Sequence, residues 1–272
     1  MVLFPNAKIN IGLNIIRKRD DGYHDLETVY YPIGLRDGLE FIENRVKKIN
    51  LSSSGIQLEL DLEQNIVVKA YRLLAADYPL PGLDIHIHKA IPFGAGLGGG
   101  SSDAAFMLKG INTYFDLGLT VIQLTDYALQ LGADCPFFIE NKPAFASGAG
   151  EILRNIDLSL KGYWLILLKP PRSVATKEAF ARITPSTPIF HLSDSIQKPV
   201  ENWMELIQND FEPSVFSAFP EIAQLKSLFI SRGAIYSAMS GSGSSVLGLF
   251  NHDPGFESSD FPFGYFIWKE TI

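Results

Sequence analysis

Cysteine is almost absent from this chain, basic residues are outnumbered, and no apolar run is long. The one cysteine, Cys135, has no partner for an internal disulfide, which fits a reducing compartment. Lys and Arg number 23 against 30 Asp and Glu, a formal net charge of −7. That balance argues against a nucleic-acid partner, which needs a basic surface. A small anionic ligand needs only a local positive patch and is not excluded. No apolar run approaches the roughly 18 residues of a membrane span. Pro5, Asn6, Lys8 and Asn10 interrupt the N-terminal apolar residues, so no signal-peptide core is expected. Internal repeats and useful heptads are also missing. The expectation is a soluble, cytoplasmic protein. Its 272 residues, 46% of them hydrophobic, suffice for one large domain or two modest ones with a sizeable core.

What the chain does have is glycine in one place. In Ile91-Pro92-Phe93-Gly94-Ala95-Gly96-Leu97-Gly98-Gly99-Gly100-Ser101-Ser102, five glycines fall in seven positions. Residues without a Cβ let backbone approach a ligand closely. Ser101 and Ser102 then sit where a helix would begin, and a helix start offers unpaired N–H groups and a positive dipole end to a phosphate. A Walker loop would need a lysine after the last glycine, and Ser101 stands there. Gly94-Ala95-Gly96-Leu97-Gly98-Gly99 matches G-x-G-x-x-G, but Pro92 interrupts the strand that a dinucleotide loop requires. The V-A-I-K, H-R-D and D-F-G signatures of a protein kinase are missing. A flexible loop that binds nothing is the remaining alternative, and so dense a glycine cluster would cost backbone entropy for no return.

Elsewhere the spacing predicts a mixture. Residues 7–15 alternate, with Ala7, Ile9, Ile11, Leu13 and Ile15 on one face and Lys8, Asn10, Gly12 and Asn14 on the other, a half-buried strand. Residues 17–24 read as a charged turn, and 26–33, 39–42 and 83–88 as strands. Residues 65–76 and 102–115 have helical character. Thr120-Val121-Ile122-Gln123 matches a capping box, with Gly132 as the stop. A hairpin is expected over 144–156 and a strand over 163–168. The Pro/Ser/Thr-rich stretch 184–199 reads as an exposed loop. Helices over 200–208 and 220–231 precede a strand, a glycine turn at 240–244 and another strand, and 264–269 fits an edge strand. Strands and helices mix without βαβα order, so the expected class is α+β. A boundary falls near residues 157–162, giving domains 1–158 and 159–272.

The stretch from Pro92 to Ser102 resembles the phosphate loop of the GHMP kinases, a family of small-molecule kinases. Four further motifs lie in that family's order: Pro5-Asn6-Ala7-Lys8-Ile9-Asn10, Asp21-Gly22-Tyr23-His24, Leu131-Gly132-Ala133-Asp134-Cys135-Pro136 and Met239-Ser240-Gly241-Ser242-Gly243-Ser244. All four look like their counterparts in the branch that acts on a cytidine diphosphate-linked polyol in the non-mevalonate isoprenoid pathway. The resemblance implies a two-domain fold, with a ribosomal-protein-like N-terminal domain that binds ATP. A ferredoxin-like C-terminal domain follows, and the active site lies in the interdomain cleft. It also implies ATP and Mg²⁺, phosphorylation of a C2 hydroxyl, and a monomer or weak homodimer. Rival readings are a kinase for homoserine, mevalonate or a sugar, and a non-catalytic binding protein on this fold.

The resemblance assigns residues as follows. The loop from Pro92 through Phe93, Gly94, Ala95, Gly96, Leu97, Gly98, Gly99 and Gly100 to Ser101 and Ser102 would hold the nucleotide phosphates. Asn65 and Lys89 would flank the adenine. Asp134 would accept the alcohol proton; from the residues alone, a helix-capping role stands level with that one. Lys8, on the polar face of its strand, would keep that acid ionised and lower the alcohol's pKa. Asn10 shares Lys8's face and would hold the polyol. Tyr23 would stack on the cytosine, His24 would bond its edge, and Phe180 would close the other side unless it is a core residue. Ser240 and Gly241 belong to a turn expected to close over the transferring phosphate. His86 and His88 share a strand face but lack a third metal ligand at suitable spacing, and no protein metal ligand is assigned. Cys135 has no histidine to make it a nucleophile.

Overall fold

The computed structural model describes all residues except 47, 58–60, 182, 184, 186 and 187, so part of the loop expected over 184–199 lies outside the described residues. The strands are β1 (Val2–Leu3), β2 (Asn6–Lys18), β3 (His24–Arg36), β4 (Gly38–Asn44), β5 (Asn50–Gly55), β6 (Gly82–Lys89), β7 (Ala144–Ser147), β8 (Ile152–Asn155), β9 (Trp164–Lys169), β10 (Tyr236–Met239), β11 (Val246–Phe250) and β12 (Phe266–Thr271). The helices are α1 (Ile66–Asp77), α2 (Gly99–Tyr114), α3 (Val121–Leu131), α4 (Phe137–Glu140), α5 (Thr176–Ala181), α6 (Leu192–Ser195), α7 (Trp203–Leu206), α8 (Glu212–Ala218) and α9 (Pro220–Ser231). The chain packs as two compact units. The first comprises residues 1–7, 35–93 and 98–142; the second comprises 8–34, 94–97 and 143–272.

In the first unit the sheet runs β1-β4-β6-β5, with β5 parallel to β6 and the other pairs antiparallel. Period-two alternation along β6 buries Leu83, Ile85 and Ile87 and turns Asp84, His86 and His88 outward. Lys89 falls on the inward count and is buried too. α1 starts at its expected cap: Asn65 Oδ1 accepts the Val67 N–H at 2.9 Å. The capping box at Thr120 forms as the sequence predicts, with both of its bonds present. α2 begins at Gly99, three residues before the expected start, because two glycines of the cluster already adopt helical backbone.

In the second unit one sheet has the order β2-β3-β7-β8, and β7 and β8 form the expected hairpin. The other, β10-β11-β9-β12, is antiparallel throughout, with β12 at its edge as anticipated. α8 and α9 contribute Val215, Ile222, Leu225 and Phe229 to a core that includes Ile166, Leu168, Val246 and Phe250. The main departure from expectation is β2. It was expected to be half-buried, but its polar residues Lys8, Asn10 and Asn14 are buried as well. A buried polar row on a strand must be hydrogen-bonded, and the partners define the site.

Candidate active site

The glycine cluster folds as its composition requires. Gly94, Gly96 and Gly98 have φ of +55°, +72° and +68°, alternating with buried Ala95 and Leu97. Such alternation turns successive N–H groups toward one side, the arrangement that makes an anion-binding concavity. Gly98 caps α2 in the left-handed conformation without any side-chain cap bond. The first-turn N–H groups of a 16-residue helix are therefore left to a ligand or water. Ser102 is fully buried and its hydroxyl oxygen has no hydrogen-bond partner. A buried hydroxyl without a partner is costly, so it marks a place where a polar ligand atom would be welcome.

Within the first unit the loop is braced from beneath by three charged side chains. Lys89 donates to Asp37 and, at 2.7 Å, to Asp103, and all three are buried. The second oxygen of Asp37 accepts the N–H groups of Ala90 and Ile91 at 2.7 and 2.8 Å, fixing the backbone that leads into the loop. Lys89, expected beside the adenine, thus points its ammonium inward between two carboxylates, and its role here is to hold the loop from behind. Burial pushes the Asp103 carboxyl up to about 7, against the pull of the Lys89 ammonium and with the added push of the Asp37 charge. Phe93 is exposed, with the Lys89 ammonium 5.3 Å from its ring centre. Asn65 caps α1, and a Cβ on Gly100 would lie 3.8 Å from Ile66 Cγ2.

Asp134 is half-buried in the turn before α4. Burial pushes the Cys135 thiol up to about 12, eased by a hydrogen bond with Ser101 and reinforced by the Asp134 charge. Cys135 is therefore a protonated, buried thiol bonded to the loop serine and next in sequence to the candidate base. A thiolate nucleophile is incompatible with that environment.

In the second unit the same loop is pinned to β2. The Lys8 N–H donates to the Leu97 carbonyl at 3.0 Å. The Lys8 ammonium bonds the Asn10 side-chain oxygen and lies 4.8 Å above the centre of the Tyr30 ring. Asn10 Nδ2 donates to the Thr28 hydroxyl at 2.9 Å, and Thr28 donates onward to the Gly12 carbonyl at 2.6 Å. Asn10 also donates its N–H to Ser240 Oγ at 3.0 Å, and Ser240 Oγ donates to the Gly96 carbonyl at 2.9 Å. The second glycine turn is thus welded to both the first glycine loop and β2. A Cβ on Gly96 would sit 1.9 Å from the Ser240 carbonyl oxygen, so only glycine permits the approach. The Ser244 and Ser245 N–H groups donate to the Gly94 and Ala95 carbonyls at 3.2 and 3.3 Å.

Of the residues expected at the cytosine, the structure brings two together. His24 and Phe180 stack with ring centres 4.8 Å apart, and Phe180 meets Phe211 edge-on. Tyr23 beside them is 64% exposed. Burial, helped by the Lys18 charge, lowers the His24 pKa, so its ring is neutral at pH 7 and keeps one donor and one acceptor nitrogen. Sequence reasoning missed Asp37, Thr28 and Asn209. The only sequence signal was at Lys89, whose place in the alternation of β6 required a buried counter-charge.

His86 and His88 bond Ser54, and His86 also bonds Ser52, on the outer face of their sheet. Among the described residues no three His, Cys, Asp or Glu side chains are grouped to hold a metal ion. Asp103, the acid nearest the loop in sequence, is engaged by Lys89.

Sequence comparisons match the GHMP kinases N terminal domain to residues 65–142 and the GHMP kinases C terminal domain to residues 193–257. The chain is 53% identical to the 4-diphosphocytidyl-2-C-methyl-D-erythritol kinase of Bacteroides fragilis over 263 residues, 96% of each chain. It is 50% identical to that of Bacteroides thetaiotaomicron over the full length of both. A crystal structure of 4-(cytidine 5'-diphospho)-2C-methyl-D-erythritol kinase superposes with a TM-score of 0.78 at 30% identity, covering 92% of this chain and 90% of that one. Homoserine kinase from Cytophaga hutchinsonii, at 17% identity and a TM-score of 0.69, shares the fold. This chain therefore has the two-domain GHMP kinase fold and belongs to the 4-diphosphocytidyl-2-C-methyl-D-erythritol kinases, a family of alcohol-acceptor phosphotransferases within the GHMP kinases.

Proposed function

We propose that this chain transfers the γ-phosphoryl group of ATP to the C2 hydroxyl of 4-diphosphocytidyl-2-C-methyl-D-erythritol, a step in non-mevalonate isoprenoid synthesis. The observation that carries the reading is the uncapped start of α2 behind three left-handed glycines, a ready anion cradle. Residues 92–102 bind the phosphates of ATP, with backbone N–H groups and the hydroxyls of Ser101 and Ser102 as donors. Asn65 stands at the adenine, and Lys89 supports the loop from the interior. Mg²⁺ travels with the nucleotide and offsets phosphate charge.

Asp134 accepts the C2 hydroxyl proton as the O–P bond forms and the bond from Pγ to the β-phosphate oxygen breaks, leaving ADP. Phosphoryl transfer of this kind rests mainly on positioning and charge stabilisation, with modest help from the base. Lys8 supplies positive charge to the acceptor oxygen, and Asn10 orients the polyol. Ser240 and Gly241 close over the transferring group. Tyr23 stacks on the cytosine, worth about 1–3 kcal/mol for such contacts. Neutral His24 bonds the base edge, and Phe180, backed by Phe211, forms the opposite wall. A base seated against Phe180 requires His24 to leave the stack the two rings make, 4.8 Å apart. We also assign the domain boundary to residue 158/159, a cytoplasmic location, no nucleic-acid partner, and a monomer or weak homodimer in solution. No described helix is long and apolar enough to cross a membrane.

The test is ADP release from ATP with 4-diphosphocytidyl-2-C-methyl-D-erythritol, against homoserine and mevalonate as controls. Turnover with the cytidine substrate alone, inhibited competitively by CMP, is expected. Turnover with homoserine or mevalonate, unaffected by CMP, overturns the reading.

A further inference from the structure

We propose that residues 208–212 form a positioning clasp for the kinase reaction, with Asn209 as its centre. Asn209 is 2% exposed and makes three hydrogen bonds with its side chain. Its Nδ2 donates to the carbonyls of Met239 and Gly241, each at 2.8 Å, and its Oδ1 accepts the Phe211 N–H at 2.9 Å. Those two carbonyls flank Ser240, the residue whose hydroxyl joins Asn10 to Gly96.

The neighbours of Asn209 grip the other side. The Leu13 N–H donates to the Gln208 carbonyl at 2.9 Å, and the Asp210 N–H donates to the Leu13 carbonyl at 2.8 Å. Asp210 Oδ2 accepts the Ile15 N–H at 2.6 Å. Glu212 Oε1 accepts the Met239 N–H at 2.8 Å, while its other oxygen pairs with Lys226 at 2.5 Å. One five-residue segment thus ties β2, which carries Lys8 and Asn10, to the turn that locks the phosphate loop.

The chemistry of the position selects asparagine. Two converging carbonyls and one N–H must be met by a single planar head with two donors and an acceptor, and only a primary amide has them. A carboxylate would turn a negative oxygen toward both carbonyls and leave them buried without donors. Asn209 touches neither nucleotide nor acceptor in this scheme; it acts through Ser240. The inference rests on the proposed phosphate-binding role of residues 92–102.

Asn209→Asp tests it, since the variant keeps the shape and the bond from Phe211 but loses both donors. Equilibrium ATP binding and steady-state kinetics are measured on the full chain at a temperature where circular dichroism matches the parent. The expected result is an ATP Kd raised about tenfold and a kcat lowered about tenfold, about 1.4 kcal/mol each. The KM for the alcohol is expected to stay within about twofold. Asn209→Ser, which keeps one donor, is expected to lose less, and it replaces the aspartate variant if that chain does not fold. Combined with Ser240→Ala, either variant is expected to be no worse than about threefold beyond the poorer single change, because both act through one turn.

A folded Asn209→Asp or Asn209→Ser with ATP Kd and kcat within twofold of the parent overturns the clasp, as do losses that multiply fully in the double variant. If the parent binds ATP but turns over no cytidine substrate, the proposed function fails instead, and the ATP Kd still reports on Asn209.

Discussion

The two glycine turns, 94–100 and 240–244, are made of similar residues but held in place by different means. The first is set by its own backbone: left-handed glycines alternate with buried Ala95 and Leu97, and the helix that follows fixes its far end. The Asp37 carboxylate then anchors its approach at Ala90 and Ile91. The second is short, and distant side chains place it: Asn209 on two carbonyls, Glu212 on the Met239 N–H. Glycine grants a turn its conformation, while buried polar side chains grant it its address. The first turn should therefore be sensitive to glycine replacement and the second to changes elsewhere in the chain.

The largest expected effect lies at the chemistry beside the first turn and leaves the turn alone. Asp134→Asn removes the candidate base without adding bulk beside Cys135 and Ser101. We expect kcat to fall by about 10²–10⁴ with the ATP Kd unchanged, measured by single turnover and by equilibrium binding. A parent-like kcat would remove Asp134 from proton transfer.

Glycine replacement sharpens the comparison directly. At Gly96 an added Cβ would meet the Ser240 carbonyl oxygen at 1.9 Å, whereas at Gly241 the nearest atom is the Asn10 side-chain oxygen at 3.1 Å. Both positions have positive φ, which costs a side chain roughly 1–3 kcal/mol. Only Gly96→Ala must also push backbone from backbone, and displacement of about an ångström near the reacting groups costs about 10²-fold. Gly96→Ala is expected to weaken ATP binding about 10²-fold and Gly241→Ala about tenfold. Equal losses would mean that the turns are held alike.

The same contrast explains what the sequence made legible. The glycine cluster, the Thr120 capping box and the Asn65 cap announce themselves, because each is a local pattern whose physics is complete within a few residues. Lys8 and Asn10 were legible as face-mates, but their burial was not, since the covering residues come from β3 and the 240s. Asn209, Asp37 and Thr28 lie in unremarkable local sequence, and their importance arises from partners 16 to 54 residues away. Lys89 was half legible. The alternation of Leu83, Ile85 and Ile87 places it inward, yet a lysine near a phosphate loop invites assignment to the ligand. A buried ammonium needs a counter-charge, and that requirement points to Asp37 and Asp103 before it points to ATP.

The smallest expected effect concerns the charge state of that bracing cluster. The folded chain holds a proton on Asp103 up to about pH 7, whereas an unfolded aspartate releases it near about 3.9. Between those values the folded state binds the extra proton, so the Asp103 contribution makes the fold lose stability as pH rises through the window. Asp103→Asn carries no such proton. Its stability relative to the parent should therefore improve steadily from about pH 4 to about pH 7 and then level off, read from urea midpoints of both chains across that range. A flat profile between about pH 5 and about pH 7 would mean that Asp103 is ionised throughout as a second counter-ion to Lys89. The distinction matters for the first glycine turn. With Asp103 protonated, Lys89 and Asp37 cancel and the cluster beneath the loop is neutral. With it ionised, a net negative charge would sit behind the helix start proposed to bind phosphate, opposing the field of the N–H groups above it.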